Sequence, residues 1–168
     1  MSNASATLNP LSLQPCFEQG NPLRIAGLTG HYTREQIVHI PEQWKRFVAY
    51  GEIPGRIGRT EYAWVGMLPD GCDYLSGCEV ESAVGLPEGL VVVEVPARRY
   101  AIFPHEAHVS QMPLTFQAIF SEWLPASGFQ PDPDAHGVVF CLERYGVAFN
   151  PQTGFGGIEI WLPVRDRA

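Results

Sequence analysis

Acid and aromatic side chains come together near the end of the chain. The run Val138-Val139-Phe140-Cys141-Leu142-Glu143-Arg144-Tyr145 is strand-like. A side-chain period of two puts Cys141, Glu143 and Tyr145 on one face and Phe140, Leu142 and Arg144 on the other. The run Ile158 to Val164 sets Ile158, Ile160, Leu162 and Val164 on an apolar face and Glu159 and Trp161 on its reverse. If the two runs pair across Asn150-Pro151-Gln152-Thr153-Gly154, one face is expected to present Glu143, Tyr145, Glu159 and Trp161. Two carboxylates beside two rings suit an organic cation. The acid supplies charge, and each ring supplies flat apolar area and roughly 0.5–2 kcal/mol of cation–π attraction. A desolvated carboxylate costs several kcal/mol, so it persists where a cation or hydrogen-bond donors meet it. The alternative is a wet sheet face on which both glutamates are ordinary solvated acids.

Other aromatic residues extend this reading. Trp64 falls close to Glu143 when the two halves of the chain are aligned, which would put it on the same side of the cleft; the competing assignment is a core tryptophan. Trp44, Phe116 and Phe120 lie on helical faces that could roof such a cleft, although aromatic stripes at helical spacing are more often core.

Signals for catalysis are sparse. His31, His39, His105, His108 and His136 form no HExxH or other ligand spacing, and no GxSxG, Walker loop or GxGxxG occurs. No cofactor or metal is therefore expected. A metal pair at His105 and His108 competes with a solvated loop. Glu143 and Glu159 could act as an acid–base pair, but a binding carboxylate needs fewer coincidences.

The elements that must position these residues come in two similar sets. Leu11 to Glu18 and Leu23 to Thr29 flank the turn-forming Gln19-Gly20-Asn21-Pro22 and read as a hairpin. Ile40, Trp44, Phe47 and Val48 follow at helical spacing, with Pro41 in the first turn and Gly51 as the stop. Tyr62 to Met67 and Tyr74 to Val80 are strands joined at Pro69-Asp70-Gly71. The order then recurs. Leu90 to Val95 and Tyr100 to Phe103 flank Pro96-Ala97-Arg98-Arg99, a second expected hairpin. A helix from Pro113, marked by Met112, Phe116, Ile119, Phe120 and Trp123, should stop before Pro125. Val138 to Tyr145 and Ile158 to Val164 close the set.

Pro41, Trp44 and Phe47 match Pro113, Phe116 and Ile119 at a constant offset, and Asp73 to Val80 echoes Phe155 to Ile160 around paired glycines. The pattern implies duplication: an α+β fold of two strand–helix–strand–strand modules, eight antiparallel strands, two main helices, a pseudo-two-fold axis and a central cleft. The expected organisation is a disordered or tag-like N-terminus over residues 1–10 and one domain over 11–168, with pseudo-repeats 11–85 and 86–168.

Composition narrows the partners. The 168 residues are 45% hydrophobic and 17% charged, with a net charge of −7. Such a chain is globular and lacks the basic footprint of a nucleic-acid binder. No apolar run is long enough for a membrane helix, and no secretory leader is visible. The expectation is a cytoplasmic protein whose Cys16, Cys72, Cys78 and Cys141 are reduced thiols.

Four phrases resemble the GyrI-like small-molecule-binding family, the effector-binding domains of AraC-type and MerR-type multidrug-responsive regulators. They are Tyr100-Ala101-Ile102-Phe103-Pro104-His105, the helix phrase from Phe116 through Trp123-Leu124-Pro125 to Phe129, Leu142-Glu143-Arg144-Tyr145, and Ile158-Glu159-Ile160-Trp161-Leu162-Pro163-Val164. Asp73 to Val80 fits as well, and the resemblance spans roughly Leu13 to Val164. It implies a cleft for lipophilic, often cationic compounds, with Glu143 as the charge partner and Glu159 and Trp161 as acidic and aromatic positions of the last strand. Because the domain fills the chain, no helix-turn-helix segment is expected, and DNA binding would need a partner protein; a homodimer is also open. The functions implied are a stand-alone, non-enzymatic binder of amphipathic cations, a hydrolase using pocket glutamates, or a protein-interaction role such as gyrase inhibition.

Overall fold

A computed structural model describes residues 13–168; the first part of the expected N-terminal strand and the whole expected N-terminal tail lie outside the described residues. The strands are β1 (Cys16–Gly20), β2 (Leu23–Thr33), β3 (Arg56–Leu68), β4 (Gly71–Val80), β5 (Val91–Val95), β6 (Arg98–His105), β7 (Phe129–Pro131), β8 (Phe140–Tyr145) and β9 (Ile158–Asp166). Helix α1 spans Ile40–Val48 and α2 spans Met112–Ala118; each follows a short 3-10 turn, Ile37–His39 and Val109–Gln111 respectively. Eight strands form one antiparallel sheet in the order β1-β6-β9-β8-β3-β4-β2-β5, and β7 pairs with β9 off this path.

That order reads the same from either end once β1 is exchanged with β5, β2 with β6, β3 with β8 and β4 with β9. The fold is therefore duplicated about a pseudo-two-fold, and the element bounds agree. Cys16–Gly20 corresponds to Val91–Val95, and Ile37–His39 corresponds to Val109–Gln111.

Neither expected hairpin closes. β1 pairs with β6, and β5 pairs with β2. The chain does not reverse at either turn-like stretch: Cys16–Gly20 and Leu23–Gly27 run on in one direction against Val91–Val95 and Arg98–Ile102 in a single unbroken register, so Asn21-Pro22 and Pro96-Ala97 only interrupt the ladder where the chain passes from one end of the sheet to the other. Each module gives its first strand to the other, so both edges of the sheet are exchanged strands.

The two faces differ. One carries both helices: Ile40 and Trp44 of α1 pack on Ala63, Val65 and Tyr74, while Met112 and Ile119 pack with Cys141, Tyr145 and Ile160. Among the described residues no helix covers the other face, yet Tyr100, Ile102, Leu142 and Leu75 there are at most 2% exposed. Val95 of β5, at one end of the strand order, shares their cluster with Tyr100 of β6 near the other end. The sheet is thus curled into a half-barrel, and its own strands cover this face. Gly27 and Gly77 lie opposite each other in β2 and β4, where a Cβ on either would run into the partner's backbone; this close approach requires glycine.

The second helix does not stop before Pro125. After α2 the chain makes a π-type turn, Ile119–Trp123, and continues as α3 (Leu124–Ser127) to Gly128, whose φ of 77° ends it in the left-handed conformation. The wide turn takes up the clash that a proline ring makes with the carbonyl one turn earlier in a regular helix. Beyond Gly128 the short strand β7 pairs with the end of β9, Phe129 opposite Asp166 and Pro131 opposite Val164.

Candidate functional site

Glu143 occupies the middle of β8 on the helix-bearing face and is 5% exposed. Its cross-strand neighbours are Ala63 on β3 and Ile160 on β9. The row continues outward to Ser76 and Leu28 on one side and to Phe103 on the other. Under the strand exchange that defines the pseudo-two-fold, Leu28 maps to Phe103, Ser76 to Ile160 and Ala63 to Glu143. The axis passes between Ala63 and Glu143, so the buried carboxylate stands at the centre of the sheet.

Two tyrosines hold it. The Tyr74 hydroxyl, from the first half, and the Tyr145 hydroxyl, from the second, each donate to Glu143 Oε1 at 2.7 Å. Among the described residues none donates to Oε2. Trp44 Nε1 donates to the Tyr74 hydroxyl at 2.9 Å, and the Trp44 ring meets the Tyr145 ring edge-on at 5.4 Å. Phe149 stands 5.0 Å from Tyr145 on a further side. Burial pushes the Glu143 carboxyl above the ordinary glutamate range, and the two tyrosine hydroxyls oppose that rise in part. Tyr74 and Tyr145 are themselves pushed well up, first by burial and then by the adjacent glutamate. Among the described residues no Lys or Arg acts on the carboxylate, and the donors that meet it are the two neutral tyrosines. That arrangement suits reception of a cation from outside.

The helices are fastened above this floor by buried polar groups at equivalent places. Gln43 of α1, wholly buried, donates to the Leu28 carbonyl (2.8 Å) and to Ser76 Oγ (3.0 Å), and accepts from the Tyr32 hydroxyl (2.6 Å). Thr115 occupies the matching position of α2, its hydroxyl 2.8 Å from Nδ1 of the buried His105. The second His105 nitrogen lies 2.9 Å from the His108 carbonyl oxygen, so this histidine is engaged in fastening α2. Among the described residues no group of three His, Cys, Asp or Glu is placed to hold a metal.

The expected four-residue face does not form. Glu143 is in register with Ile160, while Arg144 faces Glu159 and Leu142 faces Trp161. This places Glu159 and Trp161 on the reverse of the sheet from Glu143 and Tyr145, because a one-residue difference in register moves a strand's whole side-chain set to the other face. Trp64 departs for the same reason: it pairs with Leu142, and Ala63 takes the place opposite Glu143. On the reverse face Glu159 lies 3.1 Å from Arg144, whose guanidinium stands 5.7 Å from the Trp161 ring. Trp64 stacks on Phe140 at 5.7 Å. The echo of Asp73–Val80 with Phe155–Ile160 shifts likewise, since the register aligns Tyr74–Val80 with Ile158–Val164.

Trp44 and Phe116 are brought over the site. Both are half-buried and pack on the first-half cluster of Ala63, Val65 and Tyr74 as well as on the second-half cluster of Cys141 and Tyr145. Phe120 packs on the second-half cluster and not on the first-half one. Tyr74 and Gln43, central to the geometry, were not singled out in the sequence. Tyr74 faces inward by strand alternation, but its proximity to Glu143 depends on two strand pairings that sequence periodicity leaves open.

A curled antiparallel half-barrel built from two strand–helix–strand–strand modules, with two helices over a buried acid, defines a small-molecule effector-binding domain of the GyrI-like type. The Cass2 family, described as integron-associated effector binding protein, matches residues 18–164, and the chain belongs to this family. It is 33% identical over 129 residues to the transcriptional regulator BrlR of Pseudomonas aeruginosa, a match covering 74% of this chain and 46% of that protein. The chain thus spans about half the length of the curated relative that it matches. Among solved structures it resembles SAV2435 bound to tetraphenylphosphonium, at TM-score 0.68 and 15% identity over 91% of this chain and 94% of that one. The EcmrR C-terminal domain matches at TM-score 0.66 and 10% identity, covering 93% and 99%. The integron cassette protein VCH_CASS2 from the mobile metagenome of Vibrio cholerae matches at 0.62 and 16%, covering 91% and 97%. At these identities the likeness is one of fold. No helix among the described residues is long and apolar enough to cross a membrane.

Proposed function

We propose that this chain binds lipophilic organic cations in the cleft above Glu143, as a non-catalytic drug-sensing or sequestering domain. The observation that carries the reading is a carboxylate buried at the centre of the sheet with neutral tyrosine donors and, among the described residues, no basic partner. Keeping such a group is costly, and a cation among aromatic rings turns that cost into binding energy. Tyr74, Tyr145, Trp44 and Phe116 supply the rings. The ligand named for the structurally similar SAV2435, tetraphenylphosphonium, belongs to the same chemical class. Glu159, Trp161 and Trp64 have no part in this site, since they occupy the reverse face.

Isothermal titration of the full chain with tetraphenylphosphonium and with tetraphenylborate tests the reading. The two ions have nearly the same shape and opposite charge. Saturable binding of the cation with none of the anion is expected; equal binding of both would defeat the proposal.

A further inference from the structure

The symmetry of the site bears on the kind of cation it takes. The pseudo-two-fold passes between Ala63 and Glu143, so the buried carboxylate stands beside the axis that relates the two halves. Trp44 and Phe116 occupy matching positions of α1 and α2, four residues after the first helical residues Ile40 and Met112. Each ring leans on both halves of the sheet. The two aromatic walls are therefore symmetry mates with the carboxylate between them. The floor does not repeat the symmetry: both tyrosine hydroxyls meet on Glu143 Oε1, while the counterparts of Tyr74 and Tyr145 under the same exchange are Ile158 and Val65.

We infer that the cleft selects cations whose charge sits between two aromatic or lipophilic arms, over cations that carry their charge at the end of a single tail. The inference rests on the cation reading of Glu143. A ligand with a central charge places it over the carboxylate and sends one arm to Trp44 and the other to Phe116. A tail-type cation of equal size engages one wall and leaves the other without a ring.

Two isomers isolate this property: dibenzyldimethylammonium, with a benzyl arm on each side of the nitrogen, and para-biphenylmethyl(trimethyl)ammonium, with both rings on one side. Their atoms and charge are the same. In titrations of the full chain, followed by tryptophan fluorescence and calorimetry, the two-armed isomer should bind about tenfold tighter, the scale of one aromatic contact. Trp44→Leu and Phe116→Leu, which keep an apolar side chain and remove the ring, should each erase that preference, with folding checked by circular dichroism. Equal affinities, or a tighter one-armed isomer, would overturn the inference. If Glu143→Gln then still abolished binding of both, the cation reading would stand without it. Binding of neither isomer would overturn both.

Discussion

Glu143 lies directly opposite Ala63 across the β3–β8 pair, and the same two residues are counterparts under the pseudo-two-fold. A side chain at this place has its own symmetry mate as its cross-strand neighbour. Two glutamates would set like charges within about 5 Å in a buried setting. The duplicated fold can therefore carry one carboxylate here and must break its symmetry to do so, which the small Ala63 accomplishes.

Placing a second acid there should be severely destabilising. Ala63→Glu is expected to cost about 3 kcal/mol or more, through crowding of a filled site and repulsion from Glu143. Combining it with Glu143→Ala should recover a large part of that loss. Urea unfolding of the single and double variants measures the recovery; an Ala63→Glu protein as stable as the parent would contradict the placement of the axis.

Glu143 should burden the unliganded fold. Its native pKa is raised by burial, so the folded chain holds this proton more tightly than the unfolded chain. Stability then falls as pH climbs from the ordinary glutamate value toward the native one, and the deficit persists above it. Glu143→Gln should melt higher than the parent at about pH 8 and converge with it near about pH 4. Each 1 kcal/mol regained would appear as roughly 2–4 °C in a chain of this size. Differential scanning calorimetry across this range reads the difference.

The helical half of this arrangement was visible in the residues. Pro41, Trp44 and Phe47 against Pro113, Phe116 and Ile119 give the repeat, because a helix fixes the phase of its own side chains. The strands were less legible. Alternation sorts β8 into two faces correctly, but which face of β9 joins which face of β8 depends on register, and the shift by one residue removed Glu159 and Trp161 from the site. The exchange of β1 and β5 was hidden because Gln19-Gly20-Asn21-Pro22 has the composition of a turn, whereas the chain runs straight on there and changes partner strand instead. Glu143 itself emerged from alternation and from the family resemblance together, whereas Tyr74 needed the β3–β4 and β3–β8 registers at once.

The donors should tune the acid. Tyr74→Phe and Tyr145→Phe each remove a hydroxyl from Glu143 Oε1, which disfavours the charged form. Cation affinity, which needs the carboxylate, should then be lost at a higher pH on acidification than in the parent. Titration with tetraphenylphosphonium at stepped pH values locates the midpoint; an unmoved midpoint would detach the tyrosines from the acid.

Gln43 should matter to stability out of proportion to its size. Replacing it with Ala leaves the Tyr32 hydroxyl and Ser76 without their partner and opens a gap under α1. A loss of about 2–4 kcal/mol is expected in urea unfolding.

Glu159 should be dispensable for binding. On the reverse face it pairs with Arg144 in a part-exposed setting, so Glu159→Gln should cost no more than about 1 kcal/mol and leave tetraphenylphosphonium affinity unchanged. A marked loss of affinity would return the last strand's acid to the site.

The central claim is that the Glu143 carboxylate meets the ligand's charge, and calorimetric titration of Glu143→Gln with tetraphenylphosphonium tests it most directly. The amide keeps the shape and can still accept from Tyr74 and Tyr145, so the fold should persist while affinity falls by about tenfold or more. A folded Glu143→Gln protein that binds the cation as tightly as the parent would contradict the account.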